Sequence, residues 1–256
     1  MTQDAHPLPN PMRLIPLADF PEIEPGADLP GLIRKAAASA GVELAGTVLV
    51  VCQKIISKAE GRLVSLTDVE PSAEAREIAE AHDRDPRQVE VVLRESRRIV
   101  RRGNGVLITE THHGFVCANS GVDLSNAPGP EVAILLPEDP DASARRLYEA
   151  LSNTKQATPI VVSDTFGRPW REGHVDVALG SAGLAPIRDD RGSRDRAGRE
   201  LLVTQPATAD QLAAAAGLLM WKSAGIPVVA IEGLLIEGDG TVRDSLLRDA
   251  SADLFR

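Results

Sequence analysis

GVLITETHHGFVCANSG, residues 105–121, is the stretch on which the fold turns. Two apolar, β-branched runs, 105–111 and 114–121, are joined by His112 and His113 alone. A parallel crossover needs a dozen or more residues, whereas an antiparallel hairpin needs two. The runs therefore pair as a hairpin, with both histidines expected to be exposed at its tip. That pairing breaks the regular alternation of strand and helix in a doubly wound sheet. The expected class is α+β, mixed sheets with helices packed on them.

Outward from the hairpin, apolar runs alternate with Ala-rich stretches. Strands are expected at 47–56 (TVLVVCQKII), 131–137 (EVAILLP), 158–165 (TPIVVSDT), 175–183 (VDVALGSAG), 200–207 (ELLVTQPA) and 226–234 (IPVVAIEGL). Helices are expected at 29–41, 71–82, 86–100, 141–153 and 208–221. Thr208 with Asp210, and Asp139 with Pro140, supply the capping and first-turn chemistry of helix starts. RRIVRR (97–102) reads as a solvated helix face, or as a positive wall around an anion pocket. IRDDRGSRDRAGRE (187–200) is either a solvated loop or a lid over a charged ligand. The polar, Pro-rich residues 1–12 form a loose tail, and 1–256 is expected to be one unit, at most two interlocked lobes.

Composition narrows the class. With 43% hydrophobic residues in 256, a substantial core can form, and with 3% aromatics it must be built from Ala, Val, Leu and Ile. A net charge of -9 and a pI near 5.1 exclude a general nucleic-acid binder, since phosphate backbones require a basic face. Cys52 and Cys117 lie inside apolar runs and read as reduced core residues. The chain opens with no secretory pattern and contains no apolar run near the ~20 residues of a membrane span, so a cytoplasmic protein with no membrane partner is expected.

Three short segments could carry chemistry. In VVSDTFGRPWREGHVDVALG (161–180) an apolar strand ends on Asp164 and Thr165, two oxygen donors suited to Mg²⁺ or Mn²⁺, or else the capping groups of a turn. Arg168 and Arg171 follow, and guanidinium forks recognise phosphate or carboxylate, pointing to an anionic substrate. His174, close to them, stays open. In CANSGVDLSNAPG (117–129), Asp123 and Asn126 lie in a turn-prone loop after an apolar strand, where they serve a ligand or simply hydrogen-bond their own turn. In QKIISKAEGR (53–62), Gln53, Lys54, Ser57, Lys58 and Arg62 place an amide, a hydroxyl and cations at a strand exit. Neither GxxxxGK[ST] nor GxGxxG occurs, so a nucleotide would need another architecture.

Taken together these segments resemble the coenzyme F-420:L-glutamate ligases, the γ-glutamyl ligases of the deazaflavin coenzyme. The resemblance runs through LIPLADFPEIEPGADL (14–29), VVCQKIISKAEGRLV (50–64), LITETHHGFVCANSGVDLSN (107–126), VVSDTFGRPWREGHVDVALGSAGLAP (161–186), DRGSRDRAGRELLVT (190–204) and GIPVVAIEG (225–233). It implies a GTP-dependent ligase that adds L-glutamate, then γ-linked further residues, to coenzyme F-420-0, releasing GDP and phosphate. It also implies Mg²⁺ or Mn²⁺, assistance from K⁺, and an unusual fold forming an intertwined homodimer. By position, Asp123, Asp164 and Thr165 fall on the metal ligands. Asp19, Phe20, Pro21, Glu22, Gln53, Lys58 and Asn126 fall on GTP contacts. A departure is MWKSAGIPVV, where Trp221 and Lys222 stand in place of a Gly-Gln-rich turn; Lys222 offers charge where a second cation is missing. The chain ends at DLFR, so the reductase-like extension of some relatives is not expected.

The mechanism expected from both readings is transfer of a nucleotide γ-phosphate to the substrate carboxylate, then displacement of phosphate from the acyl phosphate by the glutamate amine. Asp164, Lys58 and Arg168 would carry the catalysis, and Arg168 and Arg171 would anchor substrate anions. The alternatives are a metal-dependent phosphohydrolase and a non-catalytic nucleotide-binding protein.

Overall fold

The computed structural model describes residues 11–103, 105–153, 156–234 and 237–253. Most of the expected tail, residues 1–10, lies outside the described residues. In chain order the elements are β1 (Arg13–Leu17), α1 (Leu29–Ser39), β2 (Val48–Cys52), α2 (Gln53–Ala59), β3 (Leu63–Ser65), α3 (Ala73–His82), α4 (Pro86–Arg94), β4 (Ser96–Gly103), β5 (Val106–Thr111) and β6 (Val116–Ala118). There follow β7 (Val132–Ile134), α5 (Pro140–Leu151), β8 (Ile160–Arg168), β9 (Arg171–Ala182), α6 (Thr208–Gly217), β10 (Val228–Glu232) and α7 (Val242–Ser245).

The architecture is mixed α and β, with several sheets. The largest has the order β1-β10-β2-β8-β9, antiparallel throughout except for the parallel pair β2 and β8. Val48 to Val51, Ile160 to Val162 and Val228 to Ile231 are buried. Strands covered on both faces read as such continuous apolar runs rather than alternating ones. Each fully buried Val, Leu or Ile contributes roughly 1.5–3 kcal/mol. Helices α5 and α6 lock onto β9 through their acids: Asp141 accepts from Ser181 N (2.9 Å) and Asp210 from Ala178 N (2.9 Å). Gly180 makes the approach of α5 possible, because a Cβ there would stand 2.3 Å from the Pro140 backbone.

The quoted hairpin forms as expected, as β5 and β6 in a three-stranded sheet with β4. Leu107 of β5 packs with Ala75, Ile78, Ala79, Val89 and Val92 of α3 and α4 in a core of its own. The small pair β3 and β7 completes the set.

Several expectations are corrected. The 47–56 strand stops at Cys52, and Gln53–Ala59 turns helical, burying Gln53, Ile55, Ile56 and Ser57 at helical spacing. The 86–100 helix ends at Arg94, and RRIVRR lies in β4, held in strand form by pairing with β5. Residues 200–207 form no strand; only the bridge of Glu200 to Arg194 touches it. Asp139 caps α5 through Ala142 N (2.9 Å), but the cap position of α6 is Ala207, not Thr208. His112 is exposed, whereas His113 is half-buried, its Nε2 against Pro137 O (2.9 Å) and its ring stacked on Phe115. Both cysteines are free, as expected. Among the described residues no helix is long and apolar enough to cross a membrane.

Candidate functional site

The site begins where the parallel pair ends. Cys52 and Ser163 stand opposite each other on the last rung of the β2–β8 pairing, and where parallel pairing ends such sheets leave a crevice. β8 does not end at Asp164 as the sequence suggests. At Ser163 its pairing with β9 shifts register, Leu179 of β9 being passed over, and β8 runs on with β9 as a two-stranded ribbon to Arg168. Asp164 and Thr165 thus sit on a rigid strand, not on a loose turn. Thr165 lies opposite Asp176 and donates its hydroxyl hydrogen to Asp176 Oδ1 (2.7 Å).

A second wall comes from the segment after β6. Asn119, Ser120 and Gly121 all have positive φ, and a Cβ at Gly121 would stand 2.8 Å from Leu136. Buried Ser120 stabilises this unusual run by hydrogen-bonding Thr109 (2.8 Å) and Ser96 (2.7 Å). The chain then reaches Asp123, which is locked in a backbone bridge with Ile134. Its carboxylate accepts from Ser125 N (2.7 Å) and pairs with Lys54 Nζ (2.7 Å); Lys222 Nζ is 3.8 Å away. Asn126, also at positive φ, donates to Lys222 O (3.4 Å).

The third wall is the turn after β1, from which Glu22 pairs with the buried Lys58 of α2. These walls enclose a cavity of about 720 Å³. Among its lining residues are Phe20, Pro21, Glu22, Lys54, Lys58, Asp123, Asn126, Asp164, Thr165, His174, Asp176 and Lys222.

The acids in it differ sharply. Burial pushes the Asp164 carboxyl up to about 7, outweighing the Thr165 N–H and the charge of Lys54, while Asp123 and Asp176 add smaller upward contributions. Asp176 is raised too, mainly by burial. Burial also works to raise Asp123, but Lys54 and the Ser125 N–H outweigh it and hold Asp123 below its ordinary value. The Cys52 thiol is pushed up to about 11 by burial and then by Asp164, which keeps it protonated. Of the cavity's three aspartates, one is therefore a well-compensated carboxylate and two are acids raised by burial.

Asp123, Asp164, Asp176 and the Thr165 hydroxyl present only oxygen donors, the set that suits a hard divalent cation. The under-compensated Asp164 fits such an ion. Among the described residues no three His, Cys, Asp or Glu side chains already stand together as a metal cluster, and Asp123 faces Lys54 instead.

Of the residues singled out in the sequence, Phe20, Pro21, Glu22, Lys58, Asn126, Asp123, Asp164 and Thr165 come together around this one cavity. Asp19 faces a smaller neighbouring hollow with Lys35 and Ser39. Gln53 is fully buried behind the floor, accepting from Ser57 (2.8 Å). Arg168 and Arg171 are exposed at the far end of the ribbon, one rung beyond Gly167 and His174, which do line the cavity. Asp176 was missed. It follows an apolar residue in a strand with nothing local to mark it, and only its cross-strand position opposite Thr165 could have found it.

Residues 18–233 match the model of the F420-0:gamma-glutamyl ligase family. The chain is 44% identical over 251 residues to the coenzyme F420:L-glutamate ligase of Methanothermobacter thermautotrophicus, covering 96% of this chain and 99% of that protein. It is 45% identical over 253 residues to the enzyme of the same name from Methanopyrus kandleri, covering 96% and 98%. A third relative so named, from Methanocaldococcus jannaschii, is 41% identical over 215 residues, 82% of this chain and 85% of that one. With the family model spanning β1's exit to β10 and relatives matched almost end to end, the chain belongs to the F420-0:gamma-glutamyl ligase family.

Proposed function

We propose that this protein is a GTP-dependent ligase that joins L-glutamate to coenzyme F420-0 and then adds γ-linked residues, releasing GDP and phosphate. The names of its relatives support the acceptor and the amino acid. The observation that carries the reading is the meeting of Lys54, Lys58 and Lys222 with Asp123, Asp164 and Asp176 around one cavity. A carboxylate becomes an acyl donor only once an oxygen is made a leaving group, and phosphorylation does that; the protein's part is positioning and charge neutralisation.

Lys58 and Lys54 supply fixed positive charge for phosphate oxygens, with Asn126 and the Phe20-Pro21-Glu22 turn closing around the nucleotide. Asp123, Asp164 and Thr165 would hold Mg²⁺ or Mn²⁺, with Asp176 fixing the Thr165 hydroxyl. Such an ion neutralises phosphate charge and makes the γ-phosphorus more open to attack. Arg168 and Arg171, at the outer end of the ribbon, gather the anionic acceptor and glutamate toward the cavity mouth. A homodimer and a K⁺ requirement belong to the same proposal.

Phosphate release and glutamylated product, measured with each of GTP, L-glutamate and acceptor omitted in turn, test it. Ligation predicts dependence on all three. Phosphate release without glutamate would instead mark a phosphohydrolase, and GTP binding with no turnover a nucleotide-binding protein.

A further inference from the structure

Ser163 has no role in the reading above, yet its environment is unusual. It is 1% exposed, its Oγ has no hydrogen-bond partner among the described residues, and it belongs to the lining of the main cavity beside Asp164. A second buried donor, Gln53 Nε2, is likewise unpartnered, one residue past Cys52, the strand partner of Ser163. Buried polar groups are nearly always satisfied, so two orphans where the parallel pairing of β2 and β8 stops call for a missing partner. The regular pairing with β9 is interrupted at this residue: Val162 lies opposite Gly180 and Ser163 opposite Ala178, with Leu179 passed over. A change of χ1 alone redirects a serine hydroxyl.

We propose that Ser163 is a substrate-contacting residue that donates its hydroxyl hydrogen to an anionic oxygen of the bound reactants at the cavity floor. The shared chemistry is an oxyanion, on phosphorus for the nucleotide or on carbon for the acceptor carboxylate. Asp164 beside it cannot play this part once ionised, because a carboxylate only accepts. The ligase reading enters only in naming these two sources. Cys52, opposite, stays a neutral thiol and places no competing charge at the floor.

The test uses the full chain with Ser163→Ala and Ser163→Cys. Three quantities are read: the thermal midpoint without ligands, equilibrium binding of a non-hydrolysable GTP analogue and of the deazaflavin acceptor, and steady-state kinetics. Removing an unsatisfied hydroxyl leaves the midpoint unchanged or higher, while kcat/KM falls about tenfold to a hundredfold, the range for a hydrogen bond to a charged group. Ser163→Cys, a weaker donor of similar shape, falls between. Weakened analogue binding with unchanged acceptor binding assigns the oxyanion to phosphate, and the reverse assigns it to the carboxylate. Wild-type kinetics and affinities in Ser163→Ala overturn the proposal. So does a midpoint that drops, alone or together with activity, since that marks a structural role. Should Ser163→Ala fail to fold, the cysteine variant is judged by the same readouts. A wild-type protein that ligates nothing defeats the ligase reading, while Ser163 is still judged on the two binding constants.

Discussion

Replacing Asp164 with asparagine separates the cost of its charge from its use. The carboxyl is raised from 3.8 to about 7 in the folded protein, chiefly by burial. Between those values the folded state holds a proton that the unfolded state has released, so stability falls as pH rises from about 4 to about 7, by ~1.4 kcal/mol per pH unit at most. The full cost above pH 7 is then about 4 kcal/mol, and water in the open cavity screens it to roughly 2–3 kcal/mol. Asparagine keeps the shape and can still accept from Thr165 N, but it never ionises. Asp164→Asn should therefore be more stable than wild type by that amount at pH 8 and no more stable below pH 4. For a chain of this size the gain corresponds to a rise in melting temperature of about 5–10 °C. Urea titrations from pH 3.5 to 8.5 in a chelating buffer measure it. A stability difference that stays flat with pH, or favours wild type at pH 8, refutes the assignment of a half-buried, under-compensated charge to Asp164. In the same variant ligation should be lost, and added Mn²⁺ should stabilise wild type but not the variant.

Lys54→Met removes the ammonium that holds Asp123 low. Because a depressed carboxyl gives stability that is present above its unfolded value and lost in acid, the variant should lose about 1–3 kcal/mol at pH 7 and almost nothing below pH 3, read from urea midpoints. Asp141→Ala strands three backbone donors, Ser181 N, Val242 N and Arg243 N, and should lower stability by about 2–4 kcal/mol in thermal melts, without a change in the KM for GTP. Gly180→Ala forces α5 off β9, since its Cβ would meet the Pro140 backbone at 2.3 Å; a loss of more than ~2 kcal/mol is expected, and wild-type stability would show that the helix yields freely.

What could be read locally and what could not divides along sequence separation. The runs at 48–51, 160–162 and 228–231 announce themselves because both of their faces are covered, and the cap at Asp139 because its carboxylate meets an N–H three residues on. RRIVRR carries no such mark: four arginines suit a helix face as well as an edge strand, and only the register of Arg98 with Glu110 and Arg101 with Ile108 makes it a strand. The same holds at the site. Asp123 and Asp164 stand out as acids after apolar runs, but the reach of β8 past Asp164 is set by a partner strand, and that extension carries Arg168 and Arg171 outward while bringing Asp176 in. Nor could spacing show that Lys54 pairs with Asp123 while burial keeps Asp164 raised in spite of the same lysine's charge. That asymmetry arises when segments far apart in the chain share one cavity. A cation entering it should therefore find its strongest unmet demand at Asp164, and displace a proton there near neutral pH before it competes with the lysine.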